Sequence, residues 1–219
     1  MNNIVPPSLL FDCRLPLQPC KGPSKKKTGS VLNLSTQHKL FVPSTLNEAA
    51  NFSNIYAGWN PEGLAFRFCI EGKPEAPSGD SKDLSISDTV LLWLDTRPTG
   101  DVRRATEYCH HFALFPVDKQ AKNKPTIVAQ PIAQQRSVRS QFNAKQIVLR
   151  NTITKTGYEF EVWIPAGQLH GFEEVPEIGR LGFHCVIKDA HLGDQSFHLS
   201  DDFPTGYDPS TWVTLELQQ

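Results

Sequence analysis

Four apolar segments of the chain carry tryptophan or charged side chains at every second position. Because successive side chains of a β-strand point to opposite faces, these residues would lie on the faces turned away from the core. A flat indole covers the C–H groups of a sugar and charged groups bind its hydroxyls, so this mixture suits a saccharide. The candidate binding residues on these segments are Arg67, Trp93, Asp95, Glu161, Trp163, His184 and Lys188.

The two indoles allow other interpretations as well. If Trp93 and Trp163 form an exposed patch, that patch could equally receive a protein partner. Alternatively, both side chains lie beneath the N-terminal arm or a long loop, where their role would be structural.

A second polar cluster begins where the segment ending at Asp95 stops. Arginine forks bind carboxylate, phosphate or uronate oxygens, so the cluster is compatible with an anionic-ligand pocket at the rim of the domain. The favoured alternative is an ion pair that ties down a loop, formed by Asp95 with Arg97 or by Arg103 with Glu107. The residues of this cluster are Asp95, Arg97, Arg103, Arg104, Glu107, Tyr108, His110 and His111.

Metal-binding patterns are sparse in this sequence. His110 and His111 are adjacent, so on a strand they would face opposite sides and would not share one ion. The spacings His-x-His and His-x-x-x-His, typical of zinc sites, do not occur. Three aspartates in a Pro/Gly loop could hold calcium, although a solvated loop is favoured; they are Asp201, Asp202 and Asp208. We therefore expect no cofactor, with calcium as the alternative.

Catalytic signatures are equally sparse. The motifs G-x-S-x-G and G-x-G-x-x-G and the phosphate-binding loop are absent. Glu159 and Glu161 would lie about 7 Å apart along a strand. This is close to a glycosidase spacing, but any strand with two outward acids would show it. We expect a protein that is not an enzyme; the weaker alternative is an enzyme that acts through Arg104 and His111.

Alternation of apolar and polar residues dominates the rest of the chain. It is clearest in residues 64–70, 90–95, 158–164 and 181–188, and it predicts half-buried strands. Residues 155–157 (K-T-G) predict a hairpin turn in which the glycine takes the left-handed conformation. Since helical periodicity is nearly absent, we predict an all-β fold with few short helical turns. Its expected architecture is an antiparallel β-sandwich, a two-sheet arrangement of the jelly-roll or immunoglobulin-like kind.

The chain length is that of one domain. Residues 1–30 are rich in proline, lysine and serine and predict an extended N-terminal arm, which would pack through Leu9, Leu10 and Phe11. Residues 31–219 would then form a single β-sandwich domain.

Charge and hydropathy limit the possible partners. The formal net charge of −1 gives no overall field for nucleic acid or an anionic membrane. No apolar run reaches the roughly 20 residues of a membrane helix. Residues 1–20 lack the basic and apolar regions of a secretory signal, so we expect a cytoplasmic protein with free cysteines.

Five segments, taken in order, resemble the motifs of family 9 carbohydrate-binding modules. The first, N-P-E-G-L-A-F (60–66), is similar to W-x-x-x-G-L-Y-V, and S-D-T-V-L-L-W-L-D (87–95) is similar to D-x-V-E-I-F-I-D. The third, G-Y-E-F-E-V-W-I-P (157–165), resembles G-Y-x-x-E-x-x-I-P. The segments L-G-F-H-C-V-I-K-D (181–189) and P-S-T-W-V-T-L (209–215) resemble the closing strands. Together these segments span about residues 50–217.

The resemblance implies a β-sandwich; it does not name a ligand, because function depends on a site and not on the fold. Modules of this family hold a chain-terminal sugar between two tryptophans and bind structural calcium. In this chain Leu91 stands where the family motif has an acid. Residues 95–97 and 102–112 also resemble a branch of uncharacterised bacterial proteins of the same fold. We therefore expect a non-catalytic module for saccharide or glycan, with a structural or protein-interaction domain as the alternative.

Overall fold

Short strands joined by loops and single helical turns make up the computed structural model, which describes residues 5–25, 29–100, 102–137 and 142–219. The strands are β1 (Arg14–Pro19), β2 (Ser53–Asn60), β3 (Gly63–Glu71), β4 (Thr89–Asp95), β5 (Cys109–Asp118), β6 (Lys124–Ala129), β7 (Val148–Ile153), β8 (Gly157–Pro165), β9 (Arg180–Asp189), β10 (Gly193–Ser196) and β11 (Val213–Leu217). One α-helical turn is present, α1 (Val175–Ile178). Turns of 3-10 helix lie at Pro7–Leu10, Thr36–His38, Pro43–Asn47, Leu84–Ile86, Lys119–Ala121, Ala144–Gln146, Ala166–Gln168, Phe172–Glu174 and Pro209–Thr211. The predicted all-β class with few short helical turns is confirmed.

The strands follow one hydrogen-bonded path in the order β6-β5-β4-β9-β11-β1-β2-β3-β8-β7, and β10 pairs with β9. The ends of the path, β6 and β7, lie near each other. The sheet is therefore nearly closed and barrel-like. We call the strands from β6 to β11 on this path the first half, and those from β2 to β7 the second half.

β1 joins the two halves. Its residues Arg14 to Leu17 pair with β11, and Gln18 and Pro19 pair with β2. Both pairings are parallel, so the prediction of a purely antiparallel sheet is wrong at this strand. Strands joined by a tight hairpin must pair antiparallel. β1 is separated from both of its partners by long stretches of chain, so its pairing can be parallel.

Polar contacts anchor the chain before β1. The Ser8 N–H donates to Asn47 Oδ1 at 3.0 Å, and His198 Nε2 lies 3.1 Å from the Ser8 carbonyl oxygen. Leu10 and Phe11 are 72% and 61% exposed, and Leu9 is exposed as well. The predicted apolar packing of these three residues is therefore wrong.

The core lies between the inward faces of the two halves. Phe66 on β3 stacks on Phe183 on β9, with ring centroids 5.8 Å apart. The alternate apolar residues of β3, β4, β8 and β9 all belong to this core, which confirms the predicted in–out pattern of these strands.

Gly157 begins β8 after the turn from β7. Its φ is not among the positive values, so the predicted left-handed conformation is wrong. A Cβ at this position would lie 1.9 Å from the carbonyl oxygen of Ile70 on the neighbouring strand. Close approach of two backbones therefore requires the glycine.

Candidate functional site

The two tryptophans of the predicted binding face lie on different halves of the sheet. Trp93 is on β4 in the first half and Trp163 is on β8 in the second half. Their exposed fractions are only 5% and 4%. The expected open face with two indoles is therefore not formed, and the alternative, in which both lie beneath other segments, is correct.

Residues 30–34, which we call the strap, cover Trp163. Val31, Leu32 and Leu34 pack with Trp163 in one buried apolar cluster. Glu161 holds the strap in place, because its carboxylate accepts hydrogen bonds from Val31 N at 2.8 Å, Leu32 N at 3.2 Å and the Ser30 hydroxyl. The predicted ligand residue Glu161 is thus occupied within the protein.

Trp93 is covered by loops of the first half. It packs with Ala105, Ile132 and Trp212. His111 stacks on its indole with centroids 4.2 Å apart and an interplanar angle of 9°.

His184 lies on the other side of Trp93, at a centroid distance of 5.4 Å. Burial lowers the pKa of His184 to about 3 and the pKa of His111 to about 4, so both rings are neutral near pH 7. His184 is fully buried in this layer, whereas His111 is partly exposed at its edge.

The arginine and histidine cluster after β4 ties loops together. Arg97 forms an ion pair with Glu174, and its Nη1 donates to the Tyr108 hydroxyl at 2.9 Å. This agrees with the favoured ion-pair interpretation, although the partner is Glu174 and not Asp95. Arg104 is exposed and donates to the carbonyl oxygen of Gln134. Of the predicted cluster, Arg97 and Tyr108 are in contact, whereas Arg104 lies against Gln134 and His111 stacks on Trp93, so its eight residues do not form one pocket.

Three further predicted residues have separate positions. His110 stacks beside Phe112, away from His111, which confirms that the two histidines face opposite sides. Lys188 pairs with Asp194 at 3.2 Å. Arg67 lies in the second half, with its guanidinium carbon 4.2 Å from the Tyr56 ring centroid.

A polar cavity of about 350 Å³ opens on the outer side of the first half. One row of residues crosses four neighbouring strands at its base: Asp95 lies opposite Gly182, Gly182 opposite Thr214, and Thr214 opposite Arg14. The remaining walls are Asp12, Pro98, Thr99, Gly100, Val102, Arg180, Pro209, Ser210 and Trp212. The pairing of β4, β9, β11 and β1 thus brings distant parts of the sequence into one site.

Asp95 is the buried acid of this cavity, with an exposed fraction of 6%. Burial raises its pKa to about 6, against the opposing hydrogen bonds from the Arg97 backbone and the Cys109 thiol. A carboxylate with a shifted pKa in a polar cleft is a typical mark of a functional site. It also has room for further donors, because an ionised carboxylate offers about four acceptor positions.

Two arginines provide the donors of the cavity. Arg14 is held by Asp12, whose Oδ2 lies 2.8 Å from the guanidinium. Arg180 is exposed, and within the described ranges its guanidinium has no hydrogen-bond or ion-pair partner. The cavity therefore contains one arginine that is already ion-paired, Arg14, and one without a partner among the described residues, Arg180. They share the cavity with Asp95, whose carboxylate can accept hydrogen bonds.

Trp212 lines the cavity but is itself buried, with an exposed fraction of 7%, in the cluster that contains Trp93. Its Nε1 donates to the Thr205 carbonyl oxygen at 2.7 Å, which fixes the indole plane against the wall. Charges of both signs, hydroxyls and an indole in one concavity suit a polyhydroxylated ligand without a large net charge.

Of the cavity residues, Asp95 is a predicted ligand residue, whereas Arg14, Arg180 and Thr214 are not. Trp212 and Thr214 belong to the segment 209–215, which resembles a family motif. Arg14 gave no signal because β1 was not predicted, and Thr214 and Arg180 become neighbours of Asp95 only through the strand order.

Over the described ranges, no group of three or more His, Cys, Asp or Glu side chains is placed to hold a metal ion. No helix in this part of the chain has the length and apolar character needed to cross a membrane.

Comparison with known proteins gives a likeness in structure alone. No protein-family model and no curated protein matches the chain. A family 9 carbohydrate-binding module from Caldicellulosiruptor kristjanssonii in complex with cellotriose aligns with a TM-score of 0.60 at 13% identity, over 94% of this chain and 93% of that chain. The structure of such a module from the same organism with glucose gives 0.60 at 13% identity, over 94% and 95%. The chain therefore has a fold like that of family 9 carbohydrate-binding modules.

Proposed function

We propose that this protein is a non-catalytic carbohydrate-binding domain whose binding site is the cavity between β1, β4, β9 and β11. The fold supports this proposal, since both similar structures are carbohydrate-binding modules determined with glucose or cellotriose. The cavity supports it independently, through its mixture of acid, arginine, hydroxyl and indole groups.

The observation that carries the proposal is the row Asp95–Gly182–Thr214–Arg14. Asp95 accepts hydrogen bonds from one face of the sugar, and the exposed guanidinium of Arg180 donates to ring or hydroxyl oxygens. The small exposed part of the Trp212 indole contacts C–H groups of the sugar. Thr214 contributes a hydroxyl that can donate or accept.

The proposal also includes how the strands are divided between sheets. We infer a two-sheet β-sandwich in which β1 crosses from one sheet to the other. The Phe66–Phe183 stacking supports this inference, because it joins the inward faces of β3 and β9 across the core.

Calorimetric titration with glucose and with cellotriose tests the proposed site. We expect saturable binding, and a loss of at least about tenfold in affinity for Arg180→Ala and for Asp95→Asn, because hydrogen bonds to charged groups are worth about 1.5–3 kcal/mol. Lys124→Ala, which removes an exposed cation from β6, is the matched control and should bind like the wild type. Binding that survives both site substitutions would refute the site, and no binding of either sugar would refute the proposed ligand class.

A further inference from the structure

A second concavity, separate from the sugar cavity, lies in the second half between the strap and β3. Its volume is about 700 Å³, and its polar lining includes Lys21, Asn33 and Arg67. We propose that this groove binds the oxyanion group of a small ligand, a carboxylate, sulfate or phosphate, with Arg67 as the principal contact.

Arg67 is held in a fixed position at the groove. It points outward from β3 between the core residues Phe66 and Phe68. Its guanidinium carbon stacks over the Tyr56 ring at 4.2 Å from the centroid. Such a cation–π contact restrains the guanidinium plane, so little freedom remains to be lost when an anion binds.

One donor of Arg67 has no partner. Its Nε is buried without a hydrogen bond in the described part of the structure. Buried N–H groups are nearly always hydrogen-bonded, so an unpaired one requires an explanation. A bidentate oxyanion that bridges Nε and the adjacent Nη would supply the missing acceptor.

Glu161, the natural cross-strand partner of Arg67, does not provide that acceptor. The two residues are directly opposite in the β3–β8 register. Both carboxylate oxygens of Glu161, however, accept hydrogen bonds from the strap, from Ser30, Val31 and Leu32. No acid lies within ion-pair distance of Arg67 among the residues that the structure describes.

Lys21 adds a second positive charge to the same groove. Its side chain is exposed and has no ion-pair partner in the described ranges. The amide of Asn33 is a further exposed donor of the lining. Among the described residues, the lining carries two cations, Lys21 and Arg67, and no acid, so its charge favours an anion.

Nitrogen-15 NMR of the Arg67 Nε–H group in the full chain tests the proposal. We expect a saturable shift on titration with sodium sulfate, but not with sodium chloride at the same ionic strength. Parallel titrations with inorganic phosphate and glucuronate separate the three oxyanion classes, and neutral glucose should leave the signal unchanged. A shift that follows ionic strength alone, the same for chloride and for every oxyanion, would overturn the proposal.

Variants localise the site. Backbone amide shifts of Asn33 should lose their sulfate response in Arg67→Gln, whereas Lys21→Ala should weaken binding about threefold through the lost charge. Arg67→Lys keeps the positive charge but loses the two-pronged guanidinium, so it should also bind sulfate more weakly. This variant replaces Arg67→Gln in the experiment if Arg67→Gln does not fold. Arg180→Ala should leave the sulfate response intact, which separates this site from the sugar cavity. An unchanged response in both Arg67 variants would contradict the assignment.

Discussion

Gly182 on β9 lies directly opposite Asp95 on β4, and a Cβ at Gly182 would come within 3.0 Å of the Asp95 Cβ. The same added atom would lie 3.7 Å from Trp212 Cε3. The missing side chain therefore leaves the floor of the polar cavity open between its acid and its indole.

Filling this position should abolish sugar binding. Gly182→Val places a branched side chain on the cavity floor, where it should lower glucose affinity by more than about tenfold, a loss of about 1.4 kcal/mol or more. Stability should fall by about 1–3 kcal/mol from overpacking. Calorimetry measures the affinity, and Gly167→Val is the control because nothing lies within 4 Å of a Cβ there. Wild-type affinity in Gly182→Val would mean that sugar does not enter this cavity.

Glu161 should be a residue of stability and not of sugar binding. In Glu161→Gln the amide presents a donor to the strap N–H groups, so we expect a loss of about 2–3 kcal/mol in urea unfolding. Acrylamide quenching of tryptophan fluorescence should rise as the strap loosens over Trp163, and this rise should vanish in a Trp163→Phe background. Glu159→Gln, two residues away on the same strand, is the control. Equal unfolding free energies for the two glutamine variants would contradict the role of Glu161.

Lys73 is a buried cation whose removal should be costly. Its Nζ lies 3.0 Å from Asp88 Oδ1 and 2.9 Å from Asp189 Oδ1, and all three side chains are buried. Lys73→Met leaves two buried carboxylates without their counter-ion, which should cost about 3–5 kcal/mol in chemical unfolding.

The cost of Lys73→Met should also depend on pH. Burial raises the pKa of Asp189, but the hydrogen bonds from Lys73 and the backbone hold it below its usual value. Without Lys73 this carboxylate can take up a proton, so the loss should be smaller at pH 4 than at pH 7. Lys82→Met, at an exposed position, should cost little at either pH. A loss in Lys73→Met as small as that of the control would disprove the account.

His184 should make the fold less stable as the pH falls. Its pKa is lowered from 6.5 to about 3 by burial, so the unfolded chain takes up this proton first and stability decreases below about pH 6.5. His110 and His111 act in the same direction, whereas Asp95, with its raised pKa, opposes them.

Comparison with His184→Phe isolates the contribution of this ring. For each pH unit below 6.5, the pKa of His184 in the unfolded chain, the free energy of unfolding of the wild type should fall by up to about 1.4 kcal/mol more than that of the variant. Urea unfolding at several pH values between 7.5 and 4 measures the difference. Parallel stability curves for the two proteins would show that His184 does not titrate on unfolding.

Alternation predicted the inward faces of β3, β4, β8 and β9 because large apolar residues mark every second position. β1 gave no such signal: Pro16 and Pro19 within six residues are unusual in a strand, and its pairing partners are distant in sequence. Strand parity also says which side chains point outward, but not what covers them. Alternation therefore did not decide between exposed indoles and covered ones, and the covered alternative is correct for both Trp163 and Trp93.

The candidate site shows the same limit. Asp95 was predicted because it ends a well-patterned strand, whereas Arg14 and Thr214 join it only through the order β4-β9-β11-β1. Strand order is set by contacts distant in the sequence, which local periodicity does not encode.

The most direct test of the sugar site is a glucose titration followed in the proton–nitrogen spectrum of the full chain. A sugar site in this cavity predicts saturable shifts that are largest at Asp95, Arg180, Gly182 and Thr214 and at the Trp212 indole N–H. A spectrum unchanged by glucose, or shifts confined to the strap and β3, would contradict it.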